Sequence, residues 1–348
     1  MAFKRLVWPI LIVFLAGLLL AGCGGGQKAS QGEKPQAEKS QTEKPKAEKY
    51  PTRPVKIMVT HGPGSTTDIA TRLMVPYLSK NLGQPVVVEN LEGGGGRVAR
   101  AQVFKEKADG YTLLATGFPS TQLGELLYKG AYKTAEWTYL YNFQGGGDYG
   151  TIYVAKDSPY QSLKDLVEAS KKKPLTLGMA GLGSGTHLMS SLMREKAGLQ
   201  HQIVPFDAAQ VVMAVLGKQV DAALDSASGI ATEGRVRLLS VLSDHGRSAL
   251  APDVPSTAEQ GYPGMEVSFR IGLVGPPGMP EEVVKVLSEA MKKATSDPAL
   301  AADYQKAKMA LDPLAPGDFK KANQDLLAAL QAVVPTMEKE MKTIGTKQ

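Results

Sequence analysis

The chain has 348 residues, enough for two domains of about 150 residues with a large buried core. Hydrophobic residues make up 43% and charged residues 21%, which excludes a wholly disordered or fibrous protein. The formal net charge is +6, but residues 1–50 account for +4, so the near-neutral remainder gives no reason to expect a nucleic acid partner.

The first 22 residues are typical of an export signal. Lys4 and Arg5 precede an apolar run, Leu6–Leu20, which at about 15 residues is short for a membrane-spanning helix that needs about 20. The run leads into Leu20-Ala21-Gly22-Cys23, which resembles the bacterial lipobox. In that class the signal is cut before the cysteine, whose thiol carries a diacylglycerol. We therefore expect lipidation of Cys23 and an extracytoplasmic protein anchored to a bacterial membrane, with an ordinary secretory signal as the alternative.

Residues 23–50 predict the lipidated cysteine followed by a disordered tether. Glu-Lys pairs recur there every five residues, a spacing that matches neither the helical nor the strand period. With almost no apolar residue to bury, the segment cannot form a core. Cys23 is the single cysteine of the chain, which excludes an intramolecular disulfide and a cysteine-ligated zinc site.

From residue 51 onward, strand-like and helix-like segments alternate, which is the pattern of an α/β protein built from βαβ units. A first series runs through Val55–Thr60, Thr66–Leu82, Pro85–Glu89, Gly96–Lys107 and Tyr111–Thr116. A second runs through Thr151–Val154, Ser162–Lys173, Leu175–Gly178, Ser184–Ala197, Ile203–Pro205, Ala208–Leu216 and Val220–Leu224. After the strand Phe269–Val274 the pattern predicts only helices: Glu281–Thr295, Ala299–Met309 and Asp318–Lys342.

Helices with no strands between them must pack onto a lobe that is already built. The chain is therefore expected to return to its first lobe after the second is complete. We assign residues 51–150 and 270–348 to lobe 1, and residues 151–269 to lobe 2.

The first junction between a strand and a helix runs from Thr60 to Asp68 and contains two glycines and four hydroxyl residues. Such a loop lets backbone approach a ligand, and the helix that follows offers free N–H groups and a dipole that favours an anion. A capping box formed by Ser65 and Asp68 is a compatible alternative. The candidate contacts are Gly64, Ser65, Thr66, Thr67 and Asp68. No Gly-Lys-Ser/Thr follows, so a nucleotide P-loop is unsupported.

The second junction, Gly178–His187, has the same character. Its glycines do not match the dinucleotide fingerprint, and Leu182 and Thr186 stand where a serine-hydrolase elbow around Ser184 needs glycine. The candidate contacts are Gly183, Ser184, Gly185 and Thr186. Two such junctions facing each other across a cleft would grip one anion from both sides.

Two further side chains are candidates. Asp225 stands at the carboxyl end of a predicted strand, where ligands of α/β proteins bind, whereas Asp221 at the other end is interpreted as solvated. Arg270 offers a bidentate contact to a second acidic group, with an outward-facing surface arginine as the alternative. None of the four histidines has metal-ligand spacing, so we expect neither a metal nor a cofactor.

Several stretches, in order and spacing, resemble the Bug-type solute receptors of tripartite tricarboxylate transporters. They are Tyr50-Pro51-Thr52-Arg53-Pro54, Pro63-Gly64 with Thr67-Asp68, Gly83–Asn90, Ala108–Leu114, Gly183-Ser184 with His187-Leu188, Gly217 with Gln219-Val220-Asp221, Pro252–Glu259, and Gly272-Leu273 with Pro277-Gly278. The resemblance implies a two-lobed, type II periplasmic-binding-protein-like fold, known as a venus flytrap, that holds a small carboxylate without catalysis.

The chain also departs from that family's pattern. Ser65 stands where the family usually has a second glycine, Phe206–Ala209 replaces an aromatic-Lys-Gly-Ser pattern, and Arg270 falls near a position that is commonly aromatic. The resemblance implies a monomeric receptor that delivers its carboxylate to integral-membrane permease subunits. The alternatives are a lipoprotein that signals to a membrane sensor, and a surface enzyme that uses Asp225 or Ser184.

Overall fold

The computed structural model describes residues 50–129, 131–145, 148–230 and 234–345. The predicted signal, the lipidation site at Cys23 and nearly all of the tether therefore lie outside the described residues. Within the described stretches, no helix has both the length and the apolar character required to cross a bilayer.

Strands and helices alternate along most of the chain. The first part forms β1 (Val55–Val59), α1 (Thr66–Leu82), β2 (Val86–Asn90), α2 (Arg97–Val103), β3 (Thr112–Phe118), α3 (Ser120–Tyr128) and β4 (Thr138–Gln144). The middle forms β5 (Gly150–Ala155), α4 (Leu163–Lys172), β6 (Leu175–Ala180), α5 (Gly185–Ala197), β7 (His201–Phe206), α6 (Val211–Leu216), β8 (Ala222–Ser226), α7 (Ala227–Ile230) and β9 (Val236–Leu242). The last part forms β10 (Arg270–Gly275), α8 (Glu281–Thr295), α9 (Pro298–Lys306), β11 (Leu311–Leu314), α10 (Pro316–Leu330) and α11 (Val334–Gly345).

The strands form two sheets. The first has the order β11-β4-β10-β3-β1-β2 and the second has the order β7-β6-β8-β5-β9. In each sheet a parallel core is extended by antiparallel strands: β1 pairs in parallel with β2 and β3, whereas β10 runs antiparallel to β3 and β4. Because β10 comes from the last third of the chain yet lies centrally in the first sheet, that sheet is complete only after the second has been built.

The connection from β4 to β5 and the connection from β9 to β10 run side by side where the structure describes them. Gly150 donates its N–H to the carbonyl of Val267 at 2.7 Å, and Phe269 donates to the carbonyl of Asp148 at 2.7 Å. The two connections are therefore joined to each other by backbone hydrogen bonds.

Each sheet buries its own apolar core. Helices α1, α8 and α9 pack against the first sheet through fully buried side chains such as Met74, Leu287 and Tyr304. Helices α4 and α5 cover the second sheet through residues such as Leu166 and Met189. Burial of such side chains stabilises the fold by about 1.5–3 kcal/mol each, so the helices are held by packing more than by propensity.

The last third of the chain differs from the prediction of helices alone. Leu311–Leu314 forms β11, which pairs with β4 at the edge of the first sheet. Its four residues include Pro313, which cannot donate to a ladder, and strands with proline are confined to edges. A short strand of this kind gives almost no periodic signal, which is why the pattern did not predict it.

The predicted single helix over 318–342 is also interrupted. The structure has α10 ending at Leu330 and α11 starting at Val334, with Pro335 in the first turn of α11, where proline is tolerated. Helix α11 packs against α3 and against α5, which covers the second sheet. The C-terminal helix thus leaves the first sheet, onto which we expected all of residues 270–348 to pack.

Candidate functional site

A cavity of about 300 Å³ lies where loops from both sheets meet. Of the candidate residues from the sequence, it is lined by Gly64, Ser65, Thr66, Thr67, Ser184, Gly185, Thr186, Asp225 and Arg270. Asp68 and Gly183 are absent from the lining. The two junctions that the sequence singled out are therefore brought together, and the two exceptions have structural roles instead.

The first junction is a capped helix start. The Ser65 hydroxyl accepts a hydrogen bond from the backbone N–H of Asp68 at 3.3 Å. The Asp68 carboxylate is turned back into the fold, where it accepts from Gly64 N at 3.0 Å and pairs with Arg72 at 2.8 Å. Asp68 therefore fixes the loop rather than touching the cavity, which is the capping interpretation of this motif.

The second junction repeats this design. The Ser184 hydroxyl accepts from the backbone N–H of His187 at 3.3 Å and donates to the carbonyl of Gly181 at 2.9 Å. Gly183 donates its own N–H to Nδ1 of His187 at 3.1 Å, so this N–H is engaged inside the loop. From the described residues, the Ser184 hydroxyl contacts only backbone groups and the Thr186 hydroxyl, none of which is a general base, so the hydrolase alternative gains no support.

A third helix start, which the sequence interpretation missed, joins these two. Helix α3 begins at Ser120, which lines the cavity and whose hydroxyl accepts from the backbone N–H of Gly185 at 3.1 Å. This bond links the end of β3 in the first sheet to the start of α5. The signal was present in Gly117-Phe118-Pro119-Ser120-Thr121, because hydroxyl residues directly after a strand are as typical of a helix start as a glycine loop is.

Several backbone N–H groups remain available at these helix starts. Those of Thr66, Thr67, Ser120 and Thr186 have no hydrogen-bond acceptor among the described residues, and all four residues line the cavity. The first N–H groups of a helix point along its axis, and each helix start favours an anion by about 0.3–1 kcal/mol, more when it is partly buried. The geometry is therefore suited to a carboxylate held by backbone donors from both sheets.

Two carboxyl groups face the same cavity. Asp148, which the sequence interpretation missed, is fully buried, and its oxygens accept from Gln144 Nε2 at 2.9 Å and from the backbone N–H of Ser228 at 2.8 Å. Burial raises the pKa of Asp148 to about 6 although hydrogen bonds from Ser228 and Gln144 oppose the change. Burial likewise raises the pKa of Asp225 to about 7, with the Ser226 N–H opposing and the charge of Asp148 adding to the rise.

The positive side chains in the cavity are already compensated or neutral. Arg270 lines the cavity instead of facing outward, and its Nε lies 2.9 Å from Oδ2 of Asp312 in β11. His61 also lines the cavity, and burial lowers its pKa to about 4, with the charge of Arg100 acting in the same direction. The guanidinium that the sequence offered for a second ligand carboxylate is thus partly occupied by the protein itself.

The second junction is also connected to the C-terminal helix. His187 is fully buried, and its Nε2 lies 3.2 Å from Oε2 of Glu340 in α11. Glu340 also accepts from Ser191 at 2.5 Å and from Arg194 at 2.8 Å. Burial raises the pKa of Glu340, but the close contact with His187 and the hydrogen bonds from Ser191 and Arg194 outweigh burial and bring the pKa down to about 2. Glu340 therefore contacts His187, the side chain that accepts the hydrogen bond from the Gly183 N–H.

Comparison with known proteins identifies close counterparts of this architecture. The sequence pattern of the tripartite tricarboxylate transporter family receptors matches residues 70–338. A UPF0065 protein of Bordetella bronchiseptica is 30% identical over 302 residues, covering 86% of this chain and 88% of the relative. The structure of the periplasmic binding protein BugD is 28% identical, with a TM-score of 0.72 over 85% of this chain and 99% of its own.

Two similar solved structures contain carboxylates. MatC of Rhodopseudomonas palustris with bound malate is 25% identical, with a TM-score of 0.75 over 82% of this chain and 100% of its own. R. palustris Rpa4515 with adipate is 26% identical, with a TM-score of 0.76 over 83% and 98%. These neighbours confirm the predicted α/β, periplasmic-binding-protein-like fold class. The chain belongs to the tripartite tricarboxylate transporter family of solute-binding receptors.

Proposed function

We propose that this receptor captures a small organic carboxylate in the cavity between its two sheets and delivers it to integral-membrane permease subunits. The observation that carries the proposal is the convergence of helix starts on one cavity, with the N–H groups of Thr66, Thr67 and Thr186 left for a ligand. Malate and adipate in the two R. palustris structures support the ligand class. A cavity of about 300 Å³ lies at the small end of ligand sites and suits molecules of this size.

The proposed lobes keep the residue ranges that were assigned from the sequence. Residues 51–150 and 270–348 supply β1–β4, β10 and β11 of the first sheet, and residues 151–269 supply β5–β9 of the second. Ligand contacts are proposed from both: Thr66 and Thr67 on one side, Thr186 on the other, with Ser65 and Ser184 acting as caps. Contacts that only form when both sides reach the anion favour a closed arrangement of the lobes.

Replacing Thr66 with proline tests the backbone contact. Thr66 is the first residue of α1, where proline preserves the helix but removes the N–H, and Ser65 already has the extended backbone that a following proline requires. We expect affinity for a bound carboxylate to fall about tenfold, since one hydrogen bond to a charged group is lost. Calorimetry with malate, adipate and other carboxylates of three to six carbons measures the effect.

The matched control is Thr66→Val, which keeps the N–H and the shape but removes the hydroxyl. It should bind as tightly as the natural protein. If valine weakens binding as much as proline does, the hydroxyl and not the backbone is the contact. If no carboxylate of the panel binds the natural protein, the proposed ligand class is wrong.

We also propose that Cys23 carries a lipid that anchors the receptor to the outer face of a bacterial membrane. The support is the sequence Leu20-Ala21-Gly22-Cys23 after an apolar run and ahead of a charged, repetitive segment. Replacing Cys23 with serine is expected to move the protein from the membrane fraction to the soluble extracytoplasmic fraction, because the acyl chains of the diacylglycerol supply the membrane affinity. Fractionation and intact-mass measurement check this, and a membrane-bound serine variant with unchanged mass would refute the anchor.

A further inference from the structure

We propose that the captured carboxylate also carries an ammonium group, and that this group is bound by the carboxylate of Asp225. The inference rests on the proposed function and narrows its substrate class. It predicts a small amino acid or related zwitterion as the preferred ligand, rather than a plain di- or tricarboxylate.

The Asp225 carboxylate lines the cavity and has an oxygen left to accept such a contact. It lies in β8, whose carboxyl end faces the cavity next to the strand that leads into the second junction. Its Oδ1 accepts the neighbouring N–H of Ser226 at 2.7 Å. No other hydrogen bond reaches the Asp225 carboxylate from the part of the chain that the structure describes, which leaves Oδ2 as an acceptor at the cavity wall.

Asp148 provides the internal comparison. It faces the same cavity, but both of its oxygens are occupied: Oδ1 by the N–H of Ser228, and Oδ2 by Gln144 and by the Ser228 hydroxyl. A carboxylate saturated in this way serves the fold, whereas Asp225 has capacity left for a ligand donor. The two side chains therefore have different roles although both are acidic and buried.

The charge around the ligand makes a second carboxylate a poor fit. Among the described residues that line the cavity, Arg270 is the one permanently cationic side chain, and Asp312 already pairs with it at 2.9 Å. A second cavity of about 240 Å³ shares His61, Pro63, Ser65 and other lining residues with the first, and its wall adds Glu92 and Asp207.

Helix starts and carboxylates thus give the cavity wall groups of opposite polarity. The N–H groups of Thr66, Thr67 and Thr186 favour an anion, and the acceptor of Asp225 favours a donor with positive charge. A zwitterion supplies a partner for both kinds of group. A plain dicarboxylate places negative charge against Asp225 and Asp148, which is unfavourable where the two side chains are shielded from solvent.

The protonation of Asp225 predicts whether ligand binding releases or takes up a proton, which can be measured. Its pKa of about 7 means that the free protein holds it partly protonated at neutral pH. An ammonium ligand favours the ionised carboxylate, so binding releases a proton, whereas a plain anion favours the neutral acid, so binding takes one up. The other titratable or charged side chains that line the cavity are Asp148, His61 and Arg270.

The experiment compares matched pairs of probes by calorimetry with the full chain in detergent at pH 7. The probes are unbranched carboxylates of three to six carbons, including succinate and adipate, each paired with its 2-amino counterpart, such as aspartate and 2-aminoadipate. We expect the best amino compound to bind at least tenfold tighter than its deaminated partner. Repeating the titration in two buffers of different ionisation enthalpy should show proton release on binding.

Asp225→Asn is the test variant and Asp221→Asn the matched control. Asp221 lies at the other end of the same strand, outside the cavity, where its carboxylate accepts from Thr176. We expect Asp225→Asn to weaken the amino compound at least tenfold, to leave the deaminated partner unchanged or tighter, and to abolish proton release. Asp221→Asn should bind like the natural protein, and thermal unfolding verifies that both variants fold.

Other outcomes separate this inference from the proposed function. Tighter binding of the deaminated compounds with proton uptake, weakened by Asp225→Asn, would make Asp225 a neutral hydrogen-bond donor to a second carboxylate. That result overturns the inference and leaves the receptor function intact. Binding of neither kind of compound overturns the carboxylate function itself, and with it the inference.

Discussion

Replacing Gly183 with valine is expected to abolish ligand binding, a loss of at least a hundredfold. Gly183 has φ of 74°, which side-chain-bearing residues rarely adopt, and a Cβ at this position would lie 2.6 Å from Cε2 of Tyr128. The Tyr128 ring cannot easily yield, because its hydroxyl donates to the carbonyl of Leu182 and the guanidinium of Arg97 stacks 3.4 Å from its centre. The loop must move instead, which breaks the bond from Gly183 to His187 and displaces the start of α5.

Gly181→Val is the matched control for this prediction. Gly181 has nearly the same backbone conformation, with φ of 76°, but among the described residues, its two chain neighbours aside, no atom lies within 4 Å of the position of its Cβ. The variant Gly181→Val therefore introduces the backbone strain of valine without a collision such as that of Gly183→Val with Tyr128. Calorimetry should show a much smaller loss for Gly181→Val than for Gly183→Val. Equal losses would mean that strain alone accounts for the effect and that contact with Tyr128 is irrelevant.

Replacing Asp148 with alanine should lower the free energy of unfolding by about 3 kcal/mol at pH 5. At that pH the carboxyl group is largely protonated, since its pKa is about 6, so truncation removes no buried charge. What it removes is the acceptor for Gln144 and for the Ser228 N–H, both of which are left unsatisfied in a buried site. Urea denaturation of the ligand-free protein measures the difference.

The pH dependence of the same variant provides the control. A pKa raised from 3.8 to about 6 means that the stability which Asp148 contributes is complete below about pH 4 and is lost as pH rises through 6. The natural protein should thus lose stability between pH 4 and pH 7, and Asp148→Asn, which cannot ionise, should lose less. Asp225 changes in the same direction, so part of the slope must remain. A slope unchanged by Asp148→Asn would contradict this account.

The sequence predicted the parts of this structure that have local causes. Alternating strands and helices gave both sheets, and the junctions at Ser65 and Ser184 are helix starts as expected. Asp68 and Gly183 were assigned to the ligand because capping and anion binding share one sequence signal. The contacts that separate the two roles, Asp68 with Arg72 and Gly183 with His187, each span only four residues, but side-chain geometry decides whether they form.

Features that depend on distant residues could not be read from the sequence. Arg270 meets Asp312 across two strands of the first sheet, one of which had no periodic signal. Asp148 follows a glycine run that predicts a turn and nothing more, and its role emerges only when Gln144 and Ser228 are brought around it. In each case an interaction that is set by the whole fold determines what a locally ambiguous residue does.

The contact between Glu340 and α5 has a consequence for the order in which the receptor matures. The hydrogen bond from Ser191 to Glu340 spans 149 residues. Helix α11 is the last helix of the described chain, so the carboxylate beside His187 is in place only once residues 334–345 have packed onto α5. The second junction therefore reaches its final geometry only when the C-terminal end of the fold is complete.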